Sequence, residues 1–177
     1  SIKNFLQKYS KHSDLVIQTT SKGMGDAILK FEQSPSFPNS TDVFLIWGDI
    51  PFIREETVKI MIDAHFKNDN DFTFVTKKVD SAYTLISRDE QQNVIKVEET
   101  RETSNQTISG ERDIGIFIFK RSLIFNLLKE ELPGKYGKKT GEHGFLYIIE
   151  HLAQRGFKIE ALPIANDKEL KSLNSLN

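Results

Sequence analysis

The chain of 177 residues contains no cysteine. This absence excludes a disulfide framework, a thiolate zinc site, an iron–sulfur cluster and a cysteine nucleophile. It suits a reducing compartment, and we expect the protein to be cytoplasmic. Long hydrophobic runs are also missing, because the longest, Val43 to Trp47, is far shorter than the roughly 20 residues that span a bilayer. We therefore expect no membrane partner and no secretory signal.

An excess of charge of one sign is equally absent. Lys and Arg total 24 and Asp and Glu total 25, which gives a net charge of −1. Nucleic-acid partners are not expected, since proteins that bind them carry a strongly basic surface. Hydrophobic residues make up 38% of the chain, far from the composition of disordered proteins. The length is typical of one domain, and we predict a single domain over residues 1–177.

Helix and strand patterns alternate along the chain. Apolar stripes at helical spacing predict helices over 2–9, 24–31, 58–65, 123–129, 145–152 and 167–176. Apolar or alternating runs predict strands over 15–18, 43–47, 71–76, 114–119 and 157–162. Runs at 83–87 and 94–98 flank a polar turn and predict an inserted β-hairpin, followed by a loop at 101–112 that is a candidate lid. The alternation indicates a three-layer α/β fold with a mostly parallel sheet, in which the continuously apolar 43–47 strand is central.

The first candidate ligand site follows the strand at 43–47. Ligands of open α/β sheets bind beyond the carboxyl ends of the strands, where this chain has Gly48 and Asp49. Gly48 lets the backbone approach a ligand, and the Asp49 carboxylate suits a hard cation such as Mg²⁺. Taken alone, however, Asp49 is more simply interpreted as the cap of a turn before Pro51.

The second candidate site is the loop from Gln18 to Gly25. Here a strand-terminal amide is followed by a glycine turn into a helix N-terminus, whose free N–H groups suit a phosphate or the edge of a base. Gly23-Met24-Gly25 matches neither a Walker loop nor a full dinucleotide fingerprint, so a plain turn stays open as the alternative. The four histidines lack metal-ligand spacing, and His65 completes an apolar stripe, which predicts a packed side chain.

Together these segments resemble a known family. Gln18 with Gly23 to Ile28, followed by Leu45 to Ile53, resembles the uridylyltransferase domain of bacterial N-acetylglucosamine-1-phosphate uridyltransferase, a sugar-nucleotide nucleotidyltransferase. The resemblance continues through 83–88, 93–99, 113–116, 141–143 and 174, and so covers nearly the whole chain. It implies the Rossmann-like fold of nucleotide-diphospho-sugar transferases.

The resemblance also implies a reaction and a role for each matched residue. A nucleoside monophosphate from a nucleoside triphosphate, UTP by resemblance, would be joined to a sugar 1-phosphate with release of pyrophosphate, mainly through positioning and a metal ion. The nucleotide would be bound by Gln18, Gly23 and Met24. Asp49 would be catalytic and would hold Mg²⁺ together with Asn174. The sugar would be contacted by Gly48, Thr84, Glu99 and Asp113.

Several matched positions depart from the family pattern. Met24 stands where Thr is usual, Asp26 where His is usual, Thr84 where the family has Gly, and Asp113 where it has Asn. Tyr147 falls where an acidic residue is common. A carboxylate at Asp113 would repel an anionic sugar phosphate unless a cation intervenes. The sugar therefore need not be N-acetylglucosamine.

The start of the chain departs further. Members of the family begin with a strand, a Gly-rich phosphate loop with an Arg, and a later Lys, none of which precedes the strand at 15–18. We therefore expect missing N-terminal strands, no transfer activity by this chain alone, and either self-association or a partner chain that completes the sheet. Two alternatives stay open: a cytidylyl- or guanylyltransferase of molybdopterin type, and a non-catalytic nucleotide-sugar binding or assembly module.

Overall fold

A computed structural model describes residues 13–103 and 108–173. Its helices are α1 (Met24–Leu29), α2 (Glu55–Lys67), α3 (Thr100–Thr103), α4 (Arg121–Lys129) and α5 (Ile148–Gln154). Its strands are β1 (Asp42–Ile46), β2 (Phe72–Ala82), β3 (Thr84–Arg88), β4 (Val94–Glu99), β5 (Ile108–Lys120) and β6 (Ile159–Leu162). The helix predicted over 2–9 and the predicted metal ligand Asn174 lie outside the described residues.

Four strands form one mixed sheet in the order β1-β5-β2-β6. β5 is antiparallel to both β1 and β2, whereas β2 is parallel to β6. β1, β2 and β6 therefore share one direction, and the predicted α/β fold with a mostly parallel sheet is confirmed. β3 and β4 form a separate antiparallel pair, which confirms the predicted hairpin.

Helices cover both faces of the sheet and make the three predicted layers. On one face, α4 and α5 pack on the phenylalanines of β2 and β5. Fully buried rings on this face are Phe72, Phe74, Phe117, Phe119 and Phe145. On the other face, Met61 of α2 packs with Val75 and the isoleucines at 114, 116 and 118. No helix in the described parts of the chain is long and apolar enough to cross a membrane.

The prediction that 43–47 is a central parallel strand is wrong. Within the described sheet β1 is an edge strand, and its one partner, β5, runs antiparallel to it. Phe44 and Ile46 are 40% and 45% exposed. A continuous apolar run indicates that both faces of a strand are hydrophobic, but it does not indicate how many neighbouring strands pair with it.

The strand predicted over 15–18 is also absent from the described fold. Leu15 and Ile17 are exposed, and the segment belongs to neither sheet. A strand requires a ladder partner for its N–H and C=O groups, which an apolar sequence alone does not supply. Residues 15–18 therefore form neither a helix nor a strand.

Two predictions nearer the C-terminus need correction. The candidate lid at 101–112 contains the last three residues of α3 and the first five residues of β5, since Gly110 pairs with Val79 and Ile108 with Ala82. The helix predicted over 167–176 is, where described, a single 3-10 turn, Asp167–Leu170. Polar residues in these segments obscured the strand and the turn, because neither contributes a long apolar stripe.

A bulge in β5 brings this strand against the residue that follows β1. Between the pairs Phe74–Phe117 and Thr76–Asp113, β5 uses two more residues than β2. Gly115 lies in this bulge with φ of +81°, and a Cβ there would be 2.6 Å from the Trp47 ring. The backbone N–H of Trp47 donates to the Gly115 carbonyl at 3.0 Å. The bulge therefore fixes the residue immediately before Gly48 and Asp49.

Candidate functional site

A pocket of about 490 Å³ lies beyond the carboxyl end of β1. Four of the predicted site residues line it: Met24, Asp49, Thr84 and Glu99. They come from the start of α1, the loop after β1 and the two strands of the hairpin. This is the position at which an α/β sheet is expected to bind a ligand. The structure therefore brings together predicted residues that are up to 75 positions apart in the chain.

The hairpin carries two of these residues side by side. Thr84 is paired with Glu99 across β3 and β4. Arg88, at the far end of β3, holds the hairpin to the main sheet through Glu111 of β5, with contacts of 2.7 and 2.8 Å. Paired bonds between a guanidinium and a carboxylate fix orientation as well as distance. Thr84 and Glu99 are therefore presented to the pocket on an anchored element.

The loop at Asp49 is in contact with the last described segment of the chain. The Leu173 N–H donates to the Asp49 carbonyl at 2.7 Å. Gly48 has no atom within 4 Å of the position a Cβ would take, so the fold itself leaves the space beside this backbone open. The described chain ends at Leu173, which makes Asn174 the next residue in sequence.

Glu169 anchors the segment that reaches Asp49. Its buried carboxylate accepts from Arg54 Nε at 2.9 Å, from Arg54 N at 3.1 Å and from Asn166 N at 2.9 Å. Burial opposes its charge, but the backbone N–H groups of Asn166 and Arg54 prevail and lower the pKa of Glu169. We call residues 166–173 the C-terminal strap, since they cross the pocket rim at Leu170 and Ser172.

Asp113 lies behind the pocket wall rather than on it. It is fully buried, and its carboxyl oxygens accept from the Thr84 hydroxyl at 2.6 Å and the Gly115 N–H at 2.9 Å. Burial raises the pKa of Asp113, while the Thr84 hydrogen bond and the charge of Arg112 act against the shift. In this structure Asp113 fixes Thr84 and the β5 bulge, and Thr84 forms the pocket surface above it.

The predicted nucleotide loop is held by its own residues and by a second loop. The Gln18 amide donates to Asp26 Oδ2 at 2.7 Å and to the Gly23 carbonyl at 3.3 Å. Gly23 has φ of +100°, and a Cβ there would be 2.4 Å from the His143 carbonyl. Packing alone therefore requires glycine at this position. Met24 follows directly and lines both the pocket and an adjoining cavity of about 440 Å³.

Sequence reasoning missed four aromatic or charged residues of the pocket wall: Trp47, Tyr83, Arg101 and Arg112. Trp47 and Tyr83 each adjoin a predicted site residue in sequence, and their rings lie 6.0 Å apart. The two arginines fell in the segment interpreted as a loop, where no periodicity indicates the direction of a side chain. His65, in contrast, is packed as predicted, with hydrogen bonds to Thr73 and Asp42.

Among the described residues no group of three or more His, Asp or Glu side chains could hold a metal ion by itself. Asp49 and Glu99 are the carboxylates on the pocket wall. Mg²⁺ is commonly held by one or two carboxylates together with substrate phosphates. The carboxylates of the pocket therefore suit a metal ion that is bound jointly by the protein and a nucleotide, rather than by protein side chains alone.

Comparison with known proteins finds relatives along nearly the whole chain. It is 29% identical to the bifunctional protein GlmU of Thermodesulfovibrio yellowstonii over 179 residues, which include 99% of this chain and 38% of that protein. Identity to GlmU of Streptococcus sanguinis is 28%, with 95% and 36% of the two chains covered. The chain is similar in sequence to the GlmU proteins over nearly its whole length. The resemblance inferred from sequence motifs is thus confirmed.

The match covers only part of the length of the related proteins. The chain spans little more than a third of the length of these relatives, and 34% in the case of GlmU of Clostridium kluyveri, at 31% identity. No protein-family model matches it. Among solved structures, HddC of Yersinia pseudotuberculosis, crystallised with GMP-PN, superposes with a TM-score of 0.57. At 19% identity over 91% of this chain and 63% of HddC, that likeness confirms the fold alone.

Proposed function

We propose that this protein is a Mg²⁺-dependent nucleotidyltransferase that uses UTP and a sugar 1-phosphate. An oxygen of the sugar phosphate attacks the α-phosphorus of the nucleotide, the bond from that phosphorus to the pyrophosphate oxygen breaks, and pyrophosphate leaves. One observation supports this proposal above all: the pocket at the carboxyl end of β1 joins Asp49 to Thr84 and Glu99 of the hairpin.

Each predicted residue has a place in this proposal. Asp49 would hold Mg²⁺ with the substrate phosphates, and Asn174, the residue after Leu173, would be its second protein ligand. The open space beside Gly48 admits a ligand close to the backbone. Mg²⁺ would neutralise the negative charge that gathers between the two phosphates.

The sugar would lie against the hairpin. Thr84 forms the buried floor of the pocket, and Glu99 stands opposite it on β4. The nucleotide would enter from the loop that holds Gln18 and Gly23, with Met24 at the junction of the pocket and the adjoining cavity. Asp113 supports this arrangement from behind, through its bond to Thr84.

Binding of a nucleotide sugar tests the proposal directly. Trp47 is the one tryptophan in the chain and lines the pocket, so its fluorescence reports occupancy. We expect UDP-N-acetylglucosamine to change this fluorescence, with tighter binding in the presence of MgCl₂. Asp49→Asn should remove the Mg²⁺ dependence. Asp63→Asn, an exposed carboxylate on α2, is the matched control and should bind like the wild type.

The same titration separates the alternatives. Tighter binding of GTP or CTP than of UTP would favour a guanylyl- or cytidylyltransferase. Binding that Mg²⁺ and Asp49→Asn leave unchanged would indicate a non-catalytic binding module. If no nucleotide or nucleotide sugar alters the fluorescence of the wild-type chain, the proposed function is wrong.

A further inference from the structure

We propose that Arg112 binds an oxyanion of the sugar substrate and so restricts the acceptor to sugars that carry a phosphate or carboxylate group. The inference rests on the proposed function, because it assigns the pocket to the sugar phosphate. It goes beyond that function by naming the residue that recognises the charge of the acceptor.

The two arginines of the pocket wall differ in their partners. Arg101 Nε contacts Glu99 at 2.8 Å and Glu102 at 3.9 Å, and its Nη2 is 3.7 Å from Glu142. Arg112 forms no ion pair within 4.0 Å with any carboxylate of the described residues. Of the two arginines on the pocket wall, Arg112 is therefore the one whose guanidinium is not in direct contact with a carboxylate of the described residues.

Arg112 is also held in place before any ligand binds. Its guanidinium carbon lies 3.7 Å from the centroid of the Tyr83 ring, and its Nε donates to the Asp113 carbonyl at 3.0 Å. The contact with the ring and the hydrogen bond together restrict the position of the guanidinium. A planar guanidinium held this way suits two-point contact with a phosphate or carboxylate and loses little freedom on binding.

The charges around the pocket favour such a cation. Asp49 and Glu99 line the wall, and both would repel an anionic substrate. Glu99 is paired with Arg101, whereas the buried Asp113 carboxyl is next to Arg112 in sequence. Arg112 therefore supplies the positive charge that the Asp113 departure demands if an anionic sugar is to bind here.

Titration of Trp47 fluorescence with three small ligands tests the inference. Glucose 1-phosphate and glucuronate carry the two kinds of oxyanion, and glucose carries none. We expect Arg112→Gln to weaken binding of the recognised anion by about tenfold or more, as expected for loss of a charge-assisted hydrogen bond. Glucose should bind both proteins equally weakly. Arg155→Gln is the matched control, because Arg155 pairs with Glu130 and does not line the pocket; it should change anion binding by less than about threefold.

The comparison between glucose 1-phosphate and glucuronate identifies the group that Arg112 recognises. Loss confined to glucose 1-phosphate assigns the phosphate to Arg112, and loss confined to glucuronate assigns a ring carboxylate. Arg112→Lys keeps the positive charge but not the planar guanidinium with its paired N–H donors, and should recover only part of the affinity for the anion. Thermal unfolding of each variant establishes that it is folded.

Several outcomes would overturn the inference. These are equal anion affinity in Arg112→Gln and the wild type, an equal loss for all three ligands, and no response of the wild type to either anion. The proposed function can fail separately. If nucleotides do not bind but anion binding depends on Arg112, the proposed function is wrong and the anion site is supported. If nucleotides bind but anion binding does not depend on Arg112, only the anion site is wrong.

Discussion

Asp113 and Thr84 form a coupled pair at the base of the pocket. The sequence presents them as two separate departures from the family pattern, 29 positions apart. An ionised carboxyl group only accepts hydrogen bonds, and both neighbours of this one, the Thr84 hydroxyl and the Gly115 N–H, are donors. The threonine therefore satisfies a buried carboxyl that would otherwise lack a side-chain partner, and the two departures have one physical explanation.

Removal of the Thr84 hydroxyl should destabilise the fold. Thr84→Val keeps the shape of the side chain but leaves a fully buried carboxyl oxygen without its donor, which costs about 2 kcal/mol of unfolding free energy. Urea denaturation measures the loss. Thr84→Ser retains the hydroxyl and should lose less. A valine variant as stable as the wild type would show that the hydrogen bond contributes nothing.

Among the elements, the β5 bulge controls the pocket through Gly115. Gly115→Ala should destabilise the protein by about 1–2 kcal/mol through its positive φ, and further because its Cβ would meet the Trp47 ring. Gly156→Ala is a matched control, since Gly156 has φ of +74° but no atom within 4 Å of a Cβ. Urea denaturation should show the larger loss for Gly115→Ala, and only that variant should shift Trp47 emission. Equal losses with unchanged emission would contradict this role of the bulge.

The C-terminal strap depends on the ionised form of Glu169. Because the pKa of Glu169 is lowered in the folded state, its carboxylate stabilises the fold above the ordinary value of 4.5, and this contribution is lost as the pH falls through the folded value. Glu169→Gln should therefore lose about 2 kcal/mol at pH 7 and show a flatter decline of stability in acid.

Denaturation of this variant between pH 7 and pH 3 is the measurement. Glu90→Gln, in the exposed hairpin turn, serves as the control and should follow the wild type throughout. A Glu169→Gln curve parallel to that of the wild type would mean that the strap is not held by this charge.

The sequence predicted most elements where burial and periodicity coincide. The hairpin and the apolar part of β5 were located because hydrophobic residues mark them on a two-residue or continuous pattern. The extensions of β2 to Ala82 and of β5 back to Ile108 were missed. There the two strands pair beyond the core, and partly exposed residues carry no apolar pattern.

The candidate site was predictable in part for a related reason. Asp49, Thr84 and Glu99 stand at strand ends or in the hairpin, where motif and topology both indicate a position. Arg112 could not be placed, because its approach to the pocket depends on the register of β5 against β2 and on the bulge at Gly115. Long-range register of this kind follows from the fold rather than from local sequence.

For the whole molecule, the edge at β1 is the feature that bears on assembly. Within the described sheet β1 has a partner on one side only, and Phe44 and Ile46 on it are exposed. Edge strands with exposed apolar side chains pair readily with other chains. We therefore retain the prediction of self-association or of a partner chain that completes the sheet, and we now propose β1 as the edge involved.

Lysine on the edge should weaken that association. Light scattering of the wild type across a concentration series should show a mass that rises with concentration, and Phe44→Lys should shift the rise to higher concentration, because charged residues on an edge strand oppose pairing. Ile60→Lys provides the control, since Ile60 is similarly exposed, at 42% against 40% for Phe44, but lies on α2 away from the edge. A wild type that is monomeric at every concentration would rule out self-association, and a partner chain would then be the remaining candidate for pairing with β1. If both lysine variants change the mass equally, the contact is not specific to β1, and general surface hydrophobicity explains it.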